Sequence, residues 1–432
     1  MASARPGRLL GGADIRSSTC SVEMSVRRGT VTPDRGKPLV ESNAAGGRVR
    51  FRVDRDAFAE AVAWTARALP ARPSMPVLAG MRLELPSGSS ALRLSSFDYE
   101  VSARAEVDVD AEEGGAVLVS GRLLAEIARN LPAQPVNMEC DATRVLVTCG
   151  SARFTLLTLP LEDYPTLPEM PRTTGSLAAD AFATAARQVV PAASRDDTLP
   201  MLTGVNLAFS GDSLILAATD RYRIAVRELW WRSEHPDLAT SALVPARTLN
   251  DIVRSLVPGS NVDIALSTVA AGGGVTLAPG EGMIGFENSG RRTTTRLIDS
   301  DFVKYESRFP SDFSARAEVA TAPLTEAVKR VALVADRSTP LRLSFTADEV
   351  VLEAGSGDDA QAVEALGVKY HGDPMRVAFS PEYFLDGLGG VQSETAHLHF
   401  TMPTKPAVIS DVPADEGGRP EFRYLVMPLR VS

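Results

Sequence analysis

With four histidines and three cysteines in 432 residues, the chain offers few groups from which to build a catalytic or metal centre. His397 and His399 alternate in the stretch HLHF, so a strand would set both on one face. No cysteine or further histidine stands near them in sequence to complete a tetrahedral ligand set, which predicts an exposed strand face and no metal site. Cys20, Cys140 and Cys149 lack ligand spacing, and their odd number predicts free thiols in a reducing compartment. The acidic pairs Asp196–Asp197 and Asp358–Asp359 read as turn and cap chemistry. The AAGGG run at 270–274 is followed by no Gly-Lys-Ser/Thr and predicts a loop, not a phosphate cradle. The expectation is a protein with no catalytic constellation, no cofactor and no metal.

Cations say more. Arg122 and Arg129 stand two helical turns apart in SGRLLAEIARN and so point the same way from one helix. Arg247 and Arg254 repeat that spacing in PARTLNDIVRS, while Arg67, Arg72 and Arg187 stand late in or just beyond two other helical stretches. A third region offers Lys329, Arg330 and Arg337, but its following helix carries Glu382 and Asp386 in place of a matched pair. The same pairing in two separate segments predicts one shared surface facing phosphates. The end of the chain, YLVMPLRVS from Tyr424, is apolar almost to its last residue. Such a run must pack as core or line a groove, and a groove with Met and Pro suits peptide ligands.

The elements that hold these residues repeat. PVLAGMRLEL at 76–85 returns as PMLTGVNLAF at 200–209 and, clipped, as TPLRLSF at 339–345. That spacing is about one domain. Each phrase, read as a strand, follows an amphipathic helix: DAFAEAVAWTARAL, with Phe58, Val62 and Leu69 on one stripe, then DAFATAARQVV and APLTEAVKRVALVAD. Asp56 and Asp180 are placed to cap the first two. An acidic turn and second strand come next (SSFDYEVSARAEV, AATDRYRIAVREL, GSGDDAQAVEALGV), then a second helix (VSGRLLAEIARNLP, VPARTLNDIVRSLVP, FSPEYFLDGLGGV). Two helices and many alternating strands per unit predict α+β domains, each with helices packed on antiparallel sheet. The expected organisation is an extension at 1–48 and domains at 49–173, 174–313 and 314–432.

The hydrophobic share of 44% and charged share of 23% are those of a chain with real cores. Net charge is −9, yet residues 1–48 carry eight Arg or Lys against four Asp or Glu, so the remaining body is near −13. An acidic body excludes non-specific coating of nucleic acid and leaves room for a local basic surface. No apolar run of membrane-spanning length and no signal-peptide core occur, and a cytoplasmic protein is expected. Residues 1–48, rich in Gly, Ser, Arg and Pro, read as a disordered extension or as an over-long start with Met24 as one internal alternative.

From about residue 49 to 431 the chain resembles the bacterial DNA polymerase III beta subunit, the sliding clamp, in actinobacterial form. The resemblance rests on RPSMPVLAG, SSFDYEVSA, SGRLLAEI, RFTLLTLPLEDYPTL, LPMLTGV, ATDRYRIAV and YLVMPLR. It implies three similar clamp domains closed head to tail as a homodimer, a ring of six with helices lining the hole. The implied function is a DNA polymerase processivity factor encircling duplex DNA, an accessory subunit and no enzyme, with ATP used by the loader that opens the ring. The implied partners are double-stranded DNA without sequence preference, the polymerase III alpha subunit, the clamp loader, other polymerases, ligase and mismatch-repair proteins through linear motifs, and cyclic peptide inhibitors.

By the same resemblance Arg72, Arg122 and Arg129 match DNA-facing positions, to which the helix pattern adds Arg187, Arg247 and Arg254. Ring closure matches Phe154 and Leu156 on one side and Leu333 and Val334 on the other. The partner-peptide pocket matches Leu202, Thr219, Arg221, Tyr222, Arg223, Ile224, Val426, Met427, Pro428, Leu429 and Arg430. Val303 stands where a pocket proline is usual, Ser307 and Arg308 replace a basic and an apolar residue, and Pro406 takes a pocket-edge position. These departures raise two further readings, a specialised second clamp tolerant of a pocket-directed peptide inhibitor and a clamp-like scaffold that does not close.

Overall fold

A computed structural model describes residues 48–141, 143–271, 274–277, 282–335, 339–355, 360–413 and 418–430. Cys20, Arg337, Asp358 and Asp359, with all but the last residue of the 1–48 extension, lie outside them. Six α-helices occur among the described residues: α1 (Arg55–Thr65), α2 (Gly121–Arg129), α3 (Ala179–Val189), α4 (Ala246–Val253), α5 (Thr321–Val331) and α6 (Pro381–Gly390). The strands pair antiparallel throughout. The helices pack in pairs, α1 on α2, α3 on α4 and α5 on α6. α3 also meets α6, and the end of α1 shares a cavity with α4 through Trp64, Arg67, Arg247 and Asp251. The result is one layer ordered α2, α1, α4, α3, α6, α5.

The predicted apolar stripe is what anchors that layer. Phe58 and Val62 are fully buried and Leu69 nearly so. Phe58 and Val62 sit in the first domain's core with Met81, Leu83, Leu92 and Leu94 from the first copy of the repeated phrase and its partner strand, while Leu69 lies just past the helical residues. Truncating a buried phenylalanine such as Phe58 to Ala should cost about 3–5 kcal/mol. The central and third domains share a second continuous core, running from Phe182 to Tyr424.

Three local expectations change. The repeated phrase is a 3-10 turn followed by a strand: Pro76–Ala79 then Gly80–Leu85, and Pro200–Leu202 then Gly204–Ser210. The proline pre-sets φ for the turn, and the strand starts where alternation does. Neither Asp56 nor Asp180 is a cap. Asp54 caps α1, accepting from the amides of Asp56 and Ala57, because the preceding strand ends one residue earlier than its pattern. Asp180 lies in the first turn of α3 and accepts instead from the Gly259 amide at 2.8 Å. The AAGGG run is partly strand: Thr268–Ala271 and Gly274–Leu277 pair as a hairpin.

Sheet order records how the copies join. The strand after the acidic turn of one copy pairs with the last strand of the next. Thus Val101–Asp108 pairs with Arg291–Arg296, and Arg223–Trp230 pairs with Phe422–Val426. The corresponding strand of the third copy, Ala362–Gly367, pairs on one side alone, with Glu349–Ala354. The corresponding last strand of the first copy, Ala152–Leu159, pairs fully with Arg144–Cys149 but touches Gly115–Ser120 at its final two residues alone. These two strands therefore have pairing positions left free, one at each end of the three-domain row.

Candidate functional site

The six helix-side arginines are all exposed: Arg72, Arg122, Arg129, Arg187, Arg247 and Arg254. Arg122 and Arg129 sit at the two ends of α2 as the spacing requires, while Arg254 is the residue that ends α4. None of the six forms an ion pair among the described residues. One polar contact holds Arg122, whose guanidinium donates to the Pro70 carbonyl at 2.8 Å. Some arginines on the strands are paired. Arg50 meets Glu112 and Glu139, Arg93 meets Glu106, Arg292 meets Glu287 and Arg376 meets Glu353, all within 3.1 Å. In the third domain even the helix cations are neutralised, Lys329 by Glu326 and Arg330 by Glu364. On the helix side, the unpaired arginines thus belong to the first two domains.

The pocket residues are built around one strained turn. Asp220 accepts from the amides of Tyr222 (3.0 Å) and Arg223 (3.1 Å), and the Thr219 hydroxyl donates to the Arg223 carbonyl at 2.6 Å. These bonds hold Arg221 at φ +82°, a left-handed backbone that costs a non-glycine residue about 1–2 kcal/mol. The turn throws Tyr222 outward, 55% exposed, and folds Arg223 inward, 5% exposed. The Arg223 guanidinium meets Asp220 at 2.9 Å, Asp386 of α6 and the Tyr424 hydroxyl at 3.4 Å, and lies 4.2 Å from the centre of the Tyr383 ring. Burial works to lower its pKa, but Tyr424, Asp386 and Asp220 together outweigh it and the pKa is raised. Asp386, an acidic substitute in the sequence pattern, is thus the counter-ion of an arginine from the preceding domain.

The chain end is part buried and part exposed. Val426 is fully buried, while Met427 and Leu429 stay about two-fifths exposed. Their backbone is docked: the Met427 amide donates to the Tyr222 carbonyl and the Leu429 amide to the Ala378 carbonyl, both at 2.8 Å. Leu202, Thr219 and Ile224 are buried, and Val303 is exposed. Pro406 precedes Ala407, which pairs with Val426. Pro428 is half-buried and Arg430 exposed. Tyr383 belongs with this group, its ring 6.4 Å from that of Tyr222. Sequence reading missed it because α6 was read as an acidic variant of an arginine-bearing helix.

At the open edges the proposed interface residues divide. Leu333 is 83% exposed, Val334 packs partly on the core, and Phe154 is half-buried. Leu156 is 1% exposed inside the first domain's core, so its side chain is not available to a partner. Its neighbour Leu157 is 71% exposed, and Val363 on the opposite edge 66%. Strand alternation explains the swap: inward and outward positions are one residue apart.

Elsewhere the histidine strand departs from expectation. His397 is buried rather than exposed, and His399 is half-buried. Burial and then Arg316 lower both pKa values, His399 to about 4. Among the described residues no group of three or more His, Cys, Asp or Glu is placed to hold a metal. Cys140 and Cys149 are free and buried. Asp196 accepts from the Thr198 amide in a turn, which lowers its pKa. No helix among the described residues is long and apolar enough to cross a membrane.

A threefold repeat of paired helices on antiparallel sheet, joined strand to strand and open at both ends, defines a DNA-clamp protein. Family models for the N-terminal, central and C-terminal domains of the DNA polymerase III beta subunit match residues 49–168, 176–304 and 306–430. The chain is 54% identical over 385 residues to the beta sliding clamp of Streptomyces coelicolor, covering 89% of this chain and 100% of that one. It is 42% identical to the beta sliding clamp homolog GriR of Streptomyces muensis, covering 88% and 99%. The Bacillus subtilis sliding clamp structure shares the fold, with TM-score 0.80 at 24% identity over 89% of this chain and 100% of that one. A Pseudomonas aeruginosa clamp solved bound to griselimycin gives TM-score 0.80 at 25% identity, over the same shares. The chain belongs to the DNA polymerase III beta-subunit family: it is a sliding clamp of actinobacterial type, a DNA polymerase processivity factor.

Proposed function

We propose that two copies close head to tail into a six-domain ring whose helix layer surrounds duplex DNA and slides on it. The observation that carries this is that the six exposed helix-side arginines of the first two domains form no ion pair among the described residues, whereas the helix cations Lys329 and Arg330 of the third domain do. Unpaired, exposed guanidinium groups favour phosphate at any sequence and release counterions on binding. Ring closure follows the rule seen twice within the chain. Ala362–Gly367 of one copy takes the last strand, Ala152–Leu159, of the other, with Leu157, Val363, Leu333, Val334 and Phe154 covering the seam. Such a heterologous contact closes when two rotations complete the circle.

The group around Tyr222, Val303, Met427 and Leu429 then serves as the pocket for linear motifs. Its partners on this reading are the polymerase III alpha subunit, the clamp loader, other polymerases, ligase and mismatch-repair proteins, all in the cytoplasm. The chain itself does no chemistry, and the domains run 49–173, 174–313 and 314–432. A role as a second, inhibitor-tolerant clamp draws support from Val303 and from the GriR relative, but the higher identity to the Streptomyces coelicolor clamp favours the housekeeping role. Griselimycin affinity equal to that of an ordinary clamp would exclude tolerance.

The deciding experiment is retention on circular against linear DNA across a salt series. Wild type should stay on circles and run off linear ends. Replacing Arg122, Arg129, Arg247 and Arg254 by Ala should weaken DNA binding and flatten the log–log salt slope by about 0.9 for each lost phosphate contact. An unchanged slope would remove the helix layer as the DNA face, and a monomer at micromolar concentration would remove the ring.

A further inference from the structure

Strand register fixes which positions the three domains share on the helix side. Val119, Val244 and Phe379 stand opposite Met81, Val205 and Leu341 of the repeated phrase. Three residues later come Arg122, Arg247 and Glu382, and seven after those Arg129, Arg254 and Gly389, all six exposed. The third domain thus carries a carboxylate and a bare backbone where the other two carry arginines. Its first helix agrees. Counted from the buried Leu324 and Phe182, Lys329 occupies the position of Arg187, but Glu326 holds it at 2.8 Å where the central domain has Thr184. Arg330 is held by both carboxylate oxygens of Glu364, at 3.0 and 2.6 Å. α5 and α6 contain no other cation.

Neither packing nor helix energetics accounts for this difference. A Cβ at Gly387 or Gly390 would overlap the Tyr424 or Phe422 ring, so packing requires those glycines, whereas a Cβ at Gly389 would meet nothing within 4 Å. The backbone leaves room for a side chain there and the sequence omits it. In the first turn of a helix the macrodipole favours an anion and disfavours a cation. α2 and α4 nevertheless place Arg122 and Arg247 there with no acidic residue in the turn, while α6 has the favoured carboxylate, Glu382. A cation kept where it weakens the helix is explained by an anionic ligand, and phosphate is that ligand in the first two domains. We infer that the grip on DNA is confined to the first and central domains of each copy, and that Glu326, Glu364, Glu382 and Gly389 keep the third domain's helix face free of phosphate contacts. This rests on the helix-layer reading and adds the residues that limit how tightly the ring holds. A phosphate must displace Glu326 or Glu364 to reach Lys329 or Arg330, and Glu382 repels it. The third domain therefore gives the duplex a face that it passes without releasing counterions.

The test measures the affinity of the full chain for a short linear duplex over a salt series, with sedimentation and circular dichroism to check dimer and fold. Arg122→Ala with Arg129→Ala should flatten the log–log slope by about 0.9 for each lost phosphate contact, and Lys329→Ala with Arg330→Ala should leave it at the wild-type value. Glu382→Arg with Gly389→Arg copies the first domain's pair into the third. It should steepen the slope by the same amount for each new contact and tighten binding about tenfold at low salt. A slope flattened by Lys329→Ala with Arg330→Ala overturns the inference, as does an unchanged slope in the folded, dimeric arginine-pair variant. Should that pair prevent folding, Glu382→Gln decides, since it removes the repulsion and adds no contact. Binding about twofold tighter at low salt supports the inference, and unchanged binding overturns it. If Arg122→Ala with Arg129→Ala leaves the slope unchanged, the helix-layer reading itself fails and the inference falls with it.

Discussion

The two interdomain junctions have the same plan and opposite contents. In each, an aspartate caps a turn whose next residue is left-handed, Tyr99 at φ +74° in the first and Arg221 at φ +82° in the second. In each, the strand after the turn pairs with the last strand of the following copy. The first junction is sealed with apolar groups and hydroxyls. Phe97 packs with Val77, Leu118, Tyr164 and Leu167, and the Ser102 and Thr294 hydroxyls meet at 2.6 Å. At the position of Phe97 the second junction has Thr219, and at the position of Ser102 it has Ile224. The corresponding linker residues Phe302, Tyr305 and Phe309 pack on Ile224, Val226 and Leu425, and a buried Arg223 network holds the domains together. One junction is a hinge filled shut. The other sets a buried ion-pair network beside its apolar cluster, where the first has the more exposed Arg291–Glu60 pair.

Breaking that difference should cost most where charge is buried. Arg223→Ala leaves Asp220 and Asp386 facing an empty site and should lose about 3–5 kcal/mol in chemical denaturation. A loss under about 1 kcal/mol would mean that apolar contacts alone hold the second junction. Phe97→Thr, which copies the second junction into the first, should cost about 3 kcal/mol by the cavity it opens. The reverse change, Thr219→Phe, should leave the fold intact and abolish binding of the alpha-subunit peptide; retained binding would move the pocket elsewhere.

Acid should weaken the second junction's side of the molecule first. His399 is held neutral down to about 4, against an ordinary value near 6.5, so between those values the unfolded chain binds a proton that the folded chain does not. Stability is complete above the upper value and falls with pH through this window, by at most about 1.4 kcal/mol per pH unit. His399→Phe should flatten that limb of the Tm–pH curve; an unchanged curve would assign acid sensitivity to other groups. The smallest effect belongs to Ser102→Ala, about 1 kcal/mol for one buried hydroxyl pair. A cost matching that of Arg223→Ala would erase the contrast.

Much of the fold was legible because repetition and period are local. The stripe of Phe58, Val62 and Leu69, the α+β class and the Arg122/Arg129 spacing all follow from residues within a few turns of each other. Positions one residue apart on a strand were harder. Leu156 and Leu157 are chemically identical, and what separates core from seam is which face the sheet buries. Asp386 and Tyr383 could not be assigned from sequence at all, since their partner Arg223 lies some 160 residues away.

By itself, then, the sequence determined three copies of one domain, an acidic body with arginines at helical spacing, and an apolar tail. Those are properties of composition and short-range order. The tertiary structure alone decided which arginines are left without carboxylates, which strand edges are left without neighbours, and that one junction buries an arginine network while its twin does not. Pairing is a contest among groups far apart in the chain, and it is settled by the geometry that brings them together.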